Sequence, residues 1–357
     1  MGKRNVLLSF ILILTISLAA CSTSASNEKD ENENLTIYTT IYPLQFFAEQ
    51  IGGEHVSVSS ILPAGGDAHT FEPSSKMIVN IAKADMFIMN GFGLETYAEK
   101  ISNAIERENV IVLEASEGIN VKNHEHDEDH EGHDEHGDGN HDEHEEHGEH
   151  GEENHDEHEE HDEHGEENHD EYEEQHEGHD HGDDDPHIWL DPTHAITMAE
   201  NIKDVLIELK PEAKEEFEAN FASLKEELKK LDEAFHHHIL EQDEKKILVS
   251  HAAFGYWEAA YGLEQIAVTG LSPSSEPSQK QIENILNLVD ELQLHHILFE
   301  QNVTPKVADL IREEMNLEVL RIHNLAILTD DDIENGEDYF SLMYRNLDVL
   351  VEALSHK

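Results

Sequence analysis

Outside one polar stretch, the chain alternates short runs rich in Ile, Val and Leu with longer segments whose apolar residues recur every three or four positions. The short runs predict strands at 35–42, 56–62, 84–90, 110–113, 247–251, 264–268, 296–300 and 319–322. The longer segments predict helices, among others at 43–51, 74–83, 276–291 and 304–315. Such alternation is typical of parallel sheets covered on both faces. We therefore predict an α/β fold of two similar lobes, each a mostly four-stranded parallel sheet flanked by helices.

A long helical region separates the two sets of strands. One helix is predicted at 193–209, and after Pro211 a second helix extends to about position 241. The apolar residues of the second helix are spaced by three or four and form one stripe: Phe217, Phe221, Leu224, Leu228, Leu231, Phe235 and Ile239. At 1.5 Å per residue, thirty residues span about 45 Å. We predict that this long, rigid helix at 211–241 joins an N-terminal lobe at 35–210 to a C-terminal lobe at 242–357.

The N-terminus has the pattern of a signal peptide over residues 1–20. Lys3 and Arg4 precede an uncharged run that is shorter than the roughly 20 apolar residues of a spanning helix. The run ends in LAAC, which resembles the lipobox of bacterial lipoproteins, so Cys21 is the predicted lipidation site. The alternative is a plain secretion signal with an incidental cysteine. Residues 21–34 are polar and predict a flexible, lipid-anchored tether.

Charge limits the partners that this chain can have. The formal net charge is −59, and the segment 124–185 contains 32 Asp and Glu with no Lys or Arg. Nucleic acid and anionic membrane surfaces would repel such a chain, whereas cations would be attracted. Cys21 is the single cysteine, which excludes an intramolecular disulfide and a site built from several thiolates. Any metal site must therefore use nitrogen and oxygen ligands.

The segment 124–185 is a low-complexity insert within the N-terminal lobe. It contains 17 of the chain's 29 histidines, in 14-residue repeats that begin at His141, His155 and His169. We predict that it is disordered, because it has almost no apolar residues to bury. Its imidazoles predict many weak metal-capture sites, while the alternative is an acidic solubilising spacer. The histidines are His124, His126, His130, His133, His136, His141, His144, His147, His150, His155, His158, His161, His164, His169, His176, His179 and His181.

Three histidines outside the insert have marked local contexts. His69 follows the second strand in ILPAGGDAHTFEP, His187 lies where the insert returns to the fold, and His251 ends the strand KILVSH. Ligands of open parallel sheets bind at the carboxyl ends of strands, so these residues are expected to meet in a cleft between the lobes. Neutral imidazoles suit Zn²⁺. Taken singly, each histidine is more simply explained as a structural residue, and the hypothesis depends on the three together.

The chain resembles the cluster A-I metal receptors of bacterial ABC importers, in particular the zinc-specific ZnuA type. The resemblance lies in IYPLQFFAEQIGGEHVSVSSILPAGGDAHTFEPSS, PHIWLDPTHAITMAENI, VSHAAFGYWEAAYGL and FSLMYRNLDVLVEAL. It implies a high-affinity extracytoplasmic receptor that binds Zn²⁺, is anchored to the cell membrane as a lipoprotein and acts as a monomer. It also implies that His69, His187 and His251 are the ligands, with an ABC permease and its ATPase subunit as partners. The acidic His-rich insert is a further trait of these zinc receptors.

The resemblance leaves the fourth ligand open. Zinc receptors of this type often have a carboxylate at the position that matches Ala326. We expect water in its place, with Asp330, Asp331, Glu300 or a histidine of the insert as alternatives. Two other functions stay open: a receptor for manganese or another divalent metal that acts as an adhesin, and a zinc hydrolase. The hydrolase is disfavoured because the sequence contains no HExxH motif and no second metal cluster that can be defended.

Overall fold

The computed structural model describes residues 34–119, 184–301 and 304–355. The predicted signal peptide, Cys21, nearly all of the predicted tether and the seventeen histidines of the insert lie outside these ranges. Within them, none of the helices combines the length and the apolar composition that a bilayer span requires. The insert was predicted to extend to residue 185, but Asp184 and Asp185 belong to the described residues, and Asp185 is buried.

The first lobe contains a four-stranded parallel sheet with strand order β2-β1-β3-β4. The strands are β1 Leu35–Thr39, β2 Val56–Ser60, β3 Met86–Met89 and β4 Ile111–Glu114. Helices α1 Tyr42–Gly52, α2 Ser75–Ile81 and α3 Ala98–Ile105 connect them. The first strand was predicted to continue to Tyr42, but it ends at Thr39. Pro43 lacks the backbone N–H that a sheet requires and favours the first turn of a helix, so α1 begins there.

The second lobe repeats this topology with strand order β6-β5-β7-β8, again all parallel. Its strands are β5 Lys246–His251, β6 Glu264–Thr269, β7 His296–Glu300 and β8 Glu318–Ile322. Its helices are α6 Gly255–Tyr261, α7 Gln279–Glu291, α8 Lys306–Met315, α9 Asp330–Asn335 and α10 Tyr339–Leu354. Helix α7 was predicted to begin at Glu276 but begins at Gln279, because Ser278 and Gln281 form a capping box there.

Two long helices, α4 Pro192–Leu209 and α5 Lys214–Leu240, lie between the sheets in the sequence. The predicted apolar stripe of α5 is confirmed, since all seven of its residues are buried. The 27 residues of α5 extend about 40 Å. A short 3-10 turn, Pro211–Ala213, separates the two helices, so the predicted linking helix begins as this turn.

The main hydrophobic core is continuous from the first sheet through α4 and α5 to the second sheet. Its largest fully buried side chains include Trp189, Trp257 and Tyr339. Tyr339 packs against Phe46 and Phe47 of α1, with ring centroids 5.8 and 5.1 Å apart. Close packing of this kind resists large relative movement of the lobes. The carboxyl ends of both sheets are thereby held in a fixed relation to each other.

Candidate metal centre

His69 lies on the connection between β2 and α2, beyond the carboxyl end of β2. The carboxylate of Asp67 holds this turn, because Oδ1 accepts the backbone N–H of His69 at 3.0 Å and Oδ2 accepts the hydroxyl of Thr70 at 2.8 Å. Gly65 has a φ of +78°, which favours glycine at that position. The His69 side chain is half-buried. No hydrogen bond to its imidazole occurs within the described residues.

His187 directly precedes a short 3-10 helix, Ile188–Leu190, and is 1% exposed. Asp185 binds this residue twice. Its Oδ1 accepts the backbone N–H at 2.9 Å and contacts imidazole Nδ1 at 2.7 Å. The next polar residue, Asp191, is the N-cap of α4. His187 is therefore fixed between a buried carboxylate and the start of a long helix.

His251 is the last residue of β5, and Glu300 is the last residue of β7, the neighbouring strand. Both are 1% exposed. His251 Nδ1 is hydrogen-bonded to Glu300 Oε1. Because both strands end at the same edge of a parallel sheet, the two side chains meet beyond that edge.

The structure brings the three predicted histidines together. One nitrogen of each lies within 4.8 Å of the other two, and the ring centroids are 5.2 to 6.2 Å apart. His187 Nε2 and His251 Nε2 are 3.4 Å apart. At Zn–N distances of 2.0–2.1 Å, two ligands of a tetrahedral zinc ion lie about 3.3 to 3.4 Å apart. The spacing of this pair thus matches one edge of a zinc tetrahedron.

The hydrogen bonds assign the tautomers of two of these imidazoles. An ionised carboxylate accepts hydrogen bonds and has no hydrogen to donate. Nδ1 of His187 and Nδ1 of His251 therefore carry the hydrogen of each contact. In the neutral ring, Nε2 then presents a lone pair. Two lone pairs that face each other at 3.4 Å in the interior repel, unless a cation lies between them. A metal ion or a proton between the two Nε2 atoms would remove this repulsion.

The His69 imidazole is held in its neutral form. Burial, together with the neighbouring His187, lowers the pKa of His69 from 6.5 to about 4. The ring is therefore neutral at neutral pH, which is the form that binds metals.

A cavity of about 20 Å³ adjoins His69 and His187, with room for one water molecule. Ala326 forms part of its wall. Asp330 and Asp331 are exposed on α9 and do not line it, and Glu300 lines it but is bonded to His251. Among the described residues, only the three histidines form a metal-binding group. The cavity wall comprises Gly66, Asp67, Ala68, His69, Leu94, His187, Trp189, Pro273, Glu300, Gln301, Asn324, Ala326 and Ile327.

Side chains from distant parts of the chain fix the backbone around His187. Tyr256 donates its hydroxyl hydrogen bond to the carbonyl of Asp185, and Asn90 Nδ2 donates to that of Pro186, at 2.5 and 2.9 Å. The Trp257 indole and the Tyr339 hydroxyl bind the carbonyls of Leu190 and Trp189 in the same way. Sequence patterns missed these anchors, because each depends on a contact between residues more than sixty positions apart.

Other candidate residues lie outside the cluster. His194, seven positions after His187, approaches Asp191 at 3.3 Å and packs on Tyr256. Trp189 packs on His187 and lines the cavity. Trp257 packs on Phe254 in the core.

The fold and the cluster define a two-lobed α/β protein with three histidines that could hold a metal ion near the carboxyl ends of its strands. The chain belongs to the family described as zinc-uptake complex component A, periplasmic (ZnuA), whose profile matches residues 37–353.

Individual relatives agree with this assignment. The chain is 31% identical over 353 residues to the zinc-binding lipoprotein AdcA of Streptococcus pneumoniae, which covers 99% of this chain and 61% of that protein. It is 29% identical to the high-affinity zinc uptake system protein ZnuA of Bacillus subtilis, over 94% of this chain and 93% of that one. The chain thus spans about three fifths of the length of its AdcA relatives.

A solved structure supports the fold. The Zn(II)-bound ZnuA-like domain of Streptococcus pneumoniae AdcA is 27% identical, with a TM-score of 0.66, and the match covers 90% of this chain and all of that domain. The predicted α/β architecture of two four-stranded parallel sheets is confirmed.

Proposed function

We propose that this chain is a high-affinity extracytoplasmic receptor that binds Zn²⁺ and delivers it to the permease of an ABC importer. His69, His187 and His251 are its metal ligands. The observation that carries this proposal is the pair of buried Nε2 atoms 3.4 Å apart, each on an imidazole whose other nitrogen is bonded to a carboxylate. Family membership and the zinc-binding names of the relatives support the same cargo.

The donor set favours zinc over manganese. Three neutral imidazoles suit a borderline metal, whereas Mn²⁺ prefers oxygen ligands. The buried carboxylates in contact with the ligands are Asp185 and Glu300, and each is hydrogen-bonded to Nδ1 of an imidazole, of His187 and of His251 respectively. One water molecule in the adjoining cavity completes a tetrahedron of three nitrogens and one oxygen.

The hydrogen bonds around the site favour transport over catalysis. A zinc ion with a bound water resembles the open site of a hydrolase. The two carboxylates in the wall of the adjoining cavity, Asp67 and Glu300, accept hydrogen bonds from neighbouring residues on both oxygens, so neither is placed to act as a general base for that water. We therefore infer that the ion is cargo. Hydrolysis of an ester by the zinc-loaded protein, abolished by His187→Ala, would contradict this inference.

The remaining parts of the proposal concern the chain's place at the membrane. A lipid on Cys21 anchors the receptor outside the cytoplasm, residues 21–34 tether it, and the partners are the permease and its ATPase subunit. The receptor acts as a monomer, and the histidines of the insert capture zinc weakly and raise its concentration near the tight site. The family description and the lipoprotein relatives support the location.

Zinc titration tests the binding proposal. Competition against a chromogenic chelator should show one tight equivalent in a variant that lacks residues 124–181, a deletion that spares Asp185. The tight equivalent should disappear on His69→Ala and persist on His55→Ala, because His55 contacts Glu216 far from the cluster in the fold. A shortened chain without a tight equivalent would overturn the assignment of the three ligands.

A growth assay tests delivery. Cells that lack the permease should fail in zinc-depleted medium even when they make the receptor, and cells that lack the receptor should fail as well. A protein that only buffers zinc or acts as an adhesin would support growth without the permease, and that result would exclude the transport role.

A further inference from the structure

Two buried carboxylates stand behind the metal ligands, and neither is a ligand itself. We propose that Asp185 and Glu300 are the positioning residues of the zinc site. Each holds the Nδ1–H of one ligand imidazole, directs its Nε2 toward the ion, and contributes negative charge that the neutral ligands lack. This inference rests on the proposed zinc-binding function and deepens it.

Asp185 positions His187 through two contacts made by one oxygen. Oδ1 accepts the backbone N–H of His187 and lies 2.7 Å from its Nδ1. The backbone of Asp185 is itself held, because its carbonyl accepts the hydroxyl of Tyr256. Asp185 is 7% exposed. Ring and carboxylate are thus fixed together, which leaves His187 one orientation.

Glu300 positions His251 from the neighbouring strand. Its Oε1 binds Nδ1 of His251 and lies 3.4 Å from the hydroxyl of Ser250, and its Oε2 accepts the side-chain amide of Asn324. The Glu300 backbone carbonyl accepts Nη1 of Arg321 at 2.9 Å. Donors from β5 and from the segment after β8 therefore lock the carboxylate between them. A residue held from several sides transmits its orientation to the ligand that it binds.

The charge of these two carboxylates also bears on the ion. Three neutral imidazoles bring no charge to Zn²⁺, so the ligands alone would leave two positive charges in the protein interior. Within the described residues, the basic side chains that contact the carboxylates of Asp185 and Glu300 are His187 and His251, which are uncharged when they bind a metal, and no Lys or Arg forms an ion pair with either carboxylate. The two negative charges are therefore available to balance a divalent cation. Buried charges that lack a partner are costly, which favours the loaded state.

His69 has no corresponding partner. Its Asp67 neighbour binds the backbone N–H and the Thr70 hydroxyl, and leaves the ring free of hydrogen bonds in the described structure. Two ligands are thus oriented from behind by carboxylates, and the third is placed by its turn alone. The proposal accordingly assigns the positioning role to Asp185 and Glu300 and to no residue beside His69.

Amide substitutions test the proposal in the full-length protein. Asp185→Asn and Glu300→Gln keep the shape of each side chain and a carbonyl oxygen, but remove the charge. Glu216→Gln is the matched control, because Glu216 contacts His55 Nε2 at 3.0 Å outside the metal centre. In competition with a chelator, each of the first two variants should bind Zn²⁺ about 10 to 100 times more weakly than wild type, and the control should bind as wild type does.

Two measurements separate positioning from a general loss of structure. Circular dichroism melting of the metal-free variants shows whether the fold persists, and the visible spectrum of the Co²⁺-loaded protein should change on Asp185→Asn and Glu300→Gln but not on Glu216→Gln. Unchanged affinity and an unchanged cobalt spectrum in folded variants would overturn the proposal.

The tautomers provide a test that needs no substitution. Nitrogen-15 NMR of the metal-free wild-type protein should show His187 and His251 protonated at Nδ1, and protonation at Nε2 instead would overturn the proposal even if an amide variant failed to fold. Failure of the proposed function is distinguishable, because wild type itself would then bind no zinc tightly.

Discussion

Replacing each of two ligands by alanine should separate zinc binding from folding. His69 and His251 have the same proposed role toward the ion, but their surroundings differ. The His69 ring is half-buried and has no hydrogen bond within the described residues, whereas His251 is buried against the carboxylate of Glu300. We expect both variants to lose tight binding, and only His251→Ala to lose substantial stability in the metal-free state.

The magnitudes follow from the number of ligands and from burial. Structural zinc sites with four ligands contribute about 10–16 kcal/mol, or about 2.5–4 kcal/mol per ligand. Loss of one ligand should therefore weaken binding by a factor of roughly 10² to 10³. Without zinc, His69→Ala should change the free energy of unfolding by less than about 1 kcal/mol. His251→Ala leaves a buried carboxylate without its main donor, at a cost of about 3 kcal/mol.

Urea unfolding of the chelator-treated proteins measures stability, and competition with a chromogenic chelator measures affinity. Circular dichroism follows the loss of the helices of both lobes during unfolding, and the wild-type protein is the reference in both measurements. Equal losses of metal-free stability in the two variants would refute the reasoning, because they would show that the Glu300 contact stabilises nothing. Wild-type affinity in His69→Ala would refute the ligand assignment.

Three further predictions concern the neighbourhood of the site. Ala326→Asp places an oxygen ligand in the wall of the one-water cavity, so the preference for Zn²⁺ over Mn²⁺ should decrease in competition titrations. Asp191 caps α4, and Asp191→Ala should lower the free energy of unfolding in urea by about 1–2 kcal/mol. Burial lowers the pKa of His323, so its contribution to stability is present above about pH 6.5 and lost as the pH falls below that value.

Each of these has a control. Ala353→Asp, on α10, should leave metal preference unchanged, and an equal change there would contradict the role of Ala326. Wild-type stability after Asp191→Ala would show that the cap contributes nothing. For His323, the difference in unfolding free energy between wild type and His323→Gln should shrink as the pH falls from 7 to 5. A difference that is constant over this range would contradict the lowered pKa.

Much of the fold was accessible from the sequence because each strand is short, apolar and separated from the next by a helix with its own periodicity. The eight predicted strands all occur, and the seven-residue stripe of α5 is buried as expected. The predictions were wrong at the ends of elements, where a single residue determines whether a strand or a helix continues. Pro43 ends the first strand early, and the Ser278 capping box delays α7, since local hydrogen bonding overrides an apolar pattern that continues through the boundary.

The histidines of the centre were accessible because parallel strands expose their carboxyl ends at one edge, and His69 and His251 follow or end strands. The role of Asp185 was not accessible, since its acidic neighbours in the sequence assign it to the insert. Glu300 was considered only as a fourth ligand. Its contact with His251 depends on the strand order that places β7 beside β5, and the sequences of the two strands do not reveal that order. Which nitrogen of His251 faces the ion depends on that neighbour. Strand ends thus predict which residues gather, and the packing around them decides how each is oriented.

The unequal support of the ligands bears on how a carrier can bind tightly and still release its cargo. His187 and His251 are each bonded to a buried carboxylate, and the backbone around His187 is anchored by Tyr256 and Asn90. Moving either ring would break several contacts at once. His69 is held by the turn around Asp67, and its ring breaks no hydrogen bond when it leaves. We therefore expect release to begin at His69, so a permease that displaces this one turn would open the coordination sphere without disturbing the core.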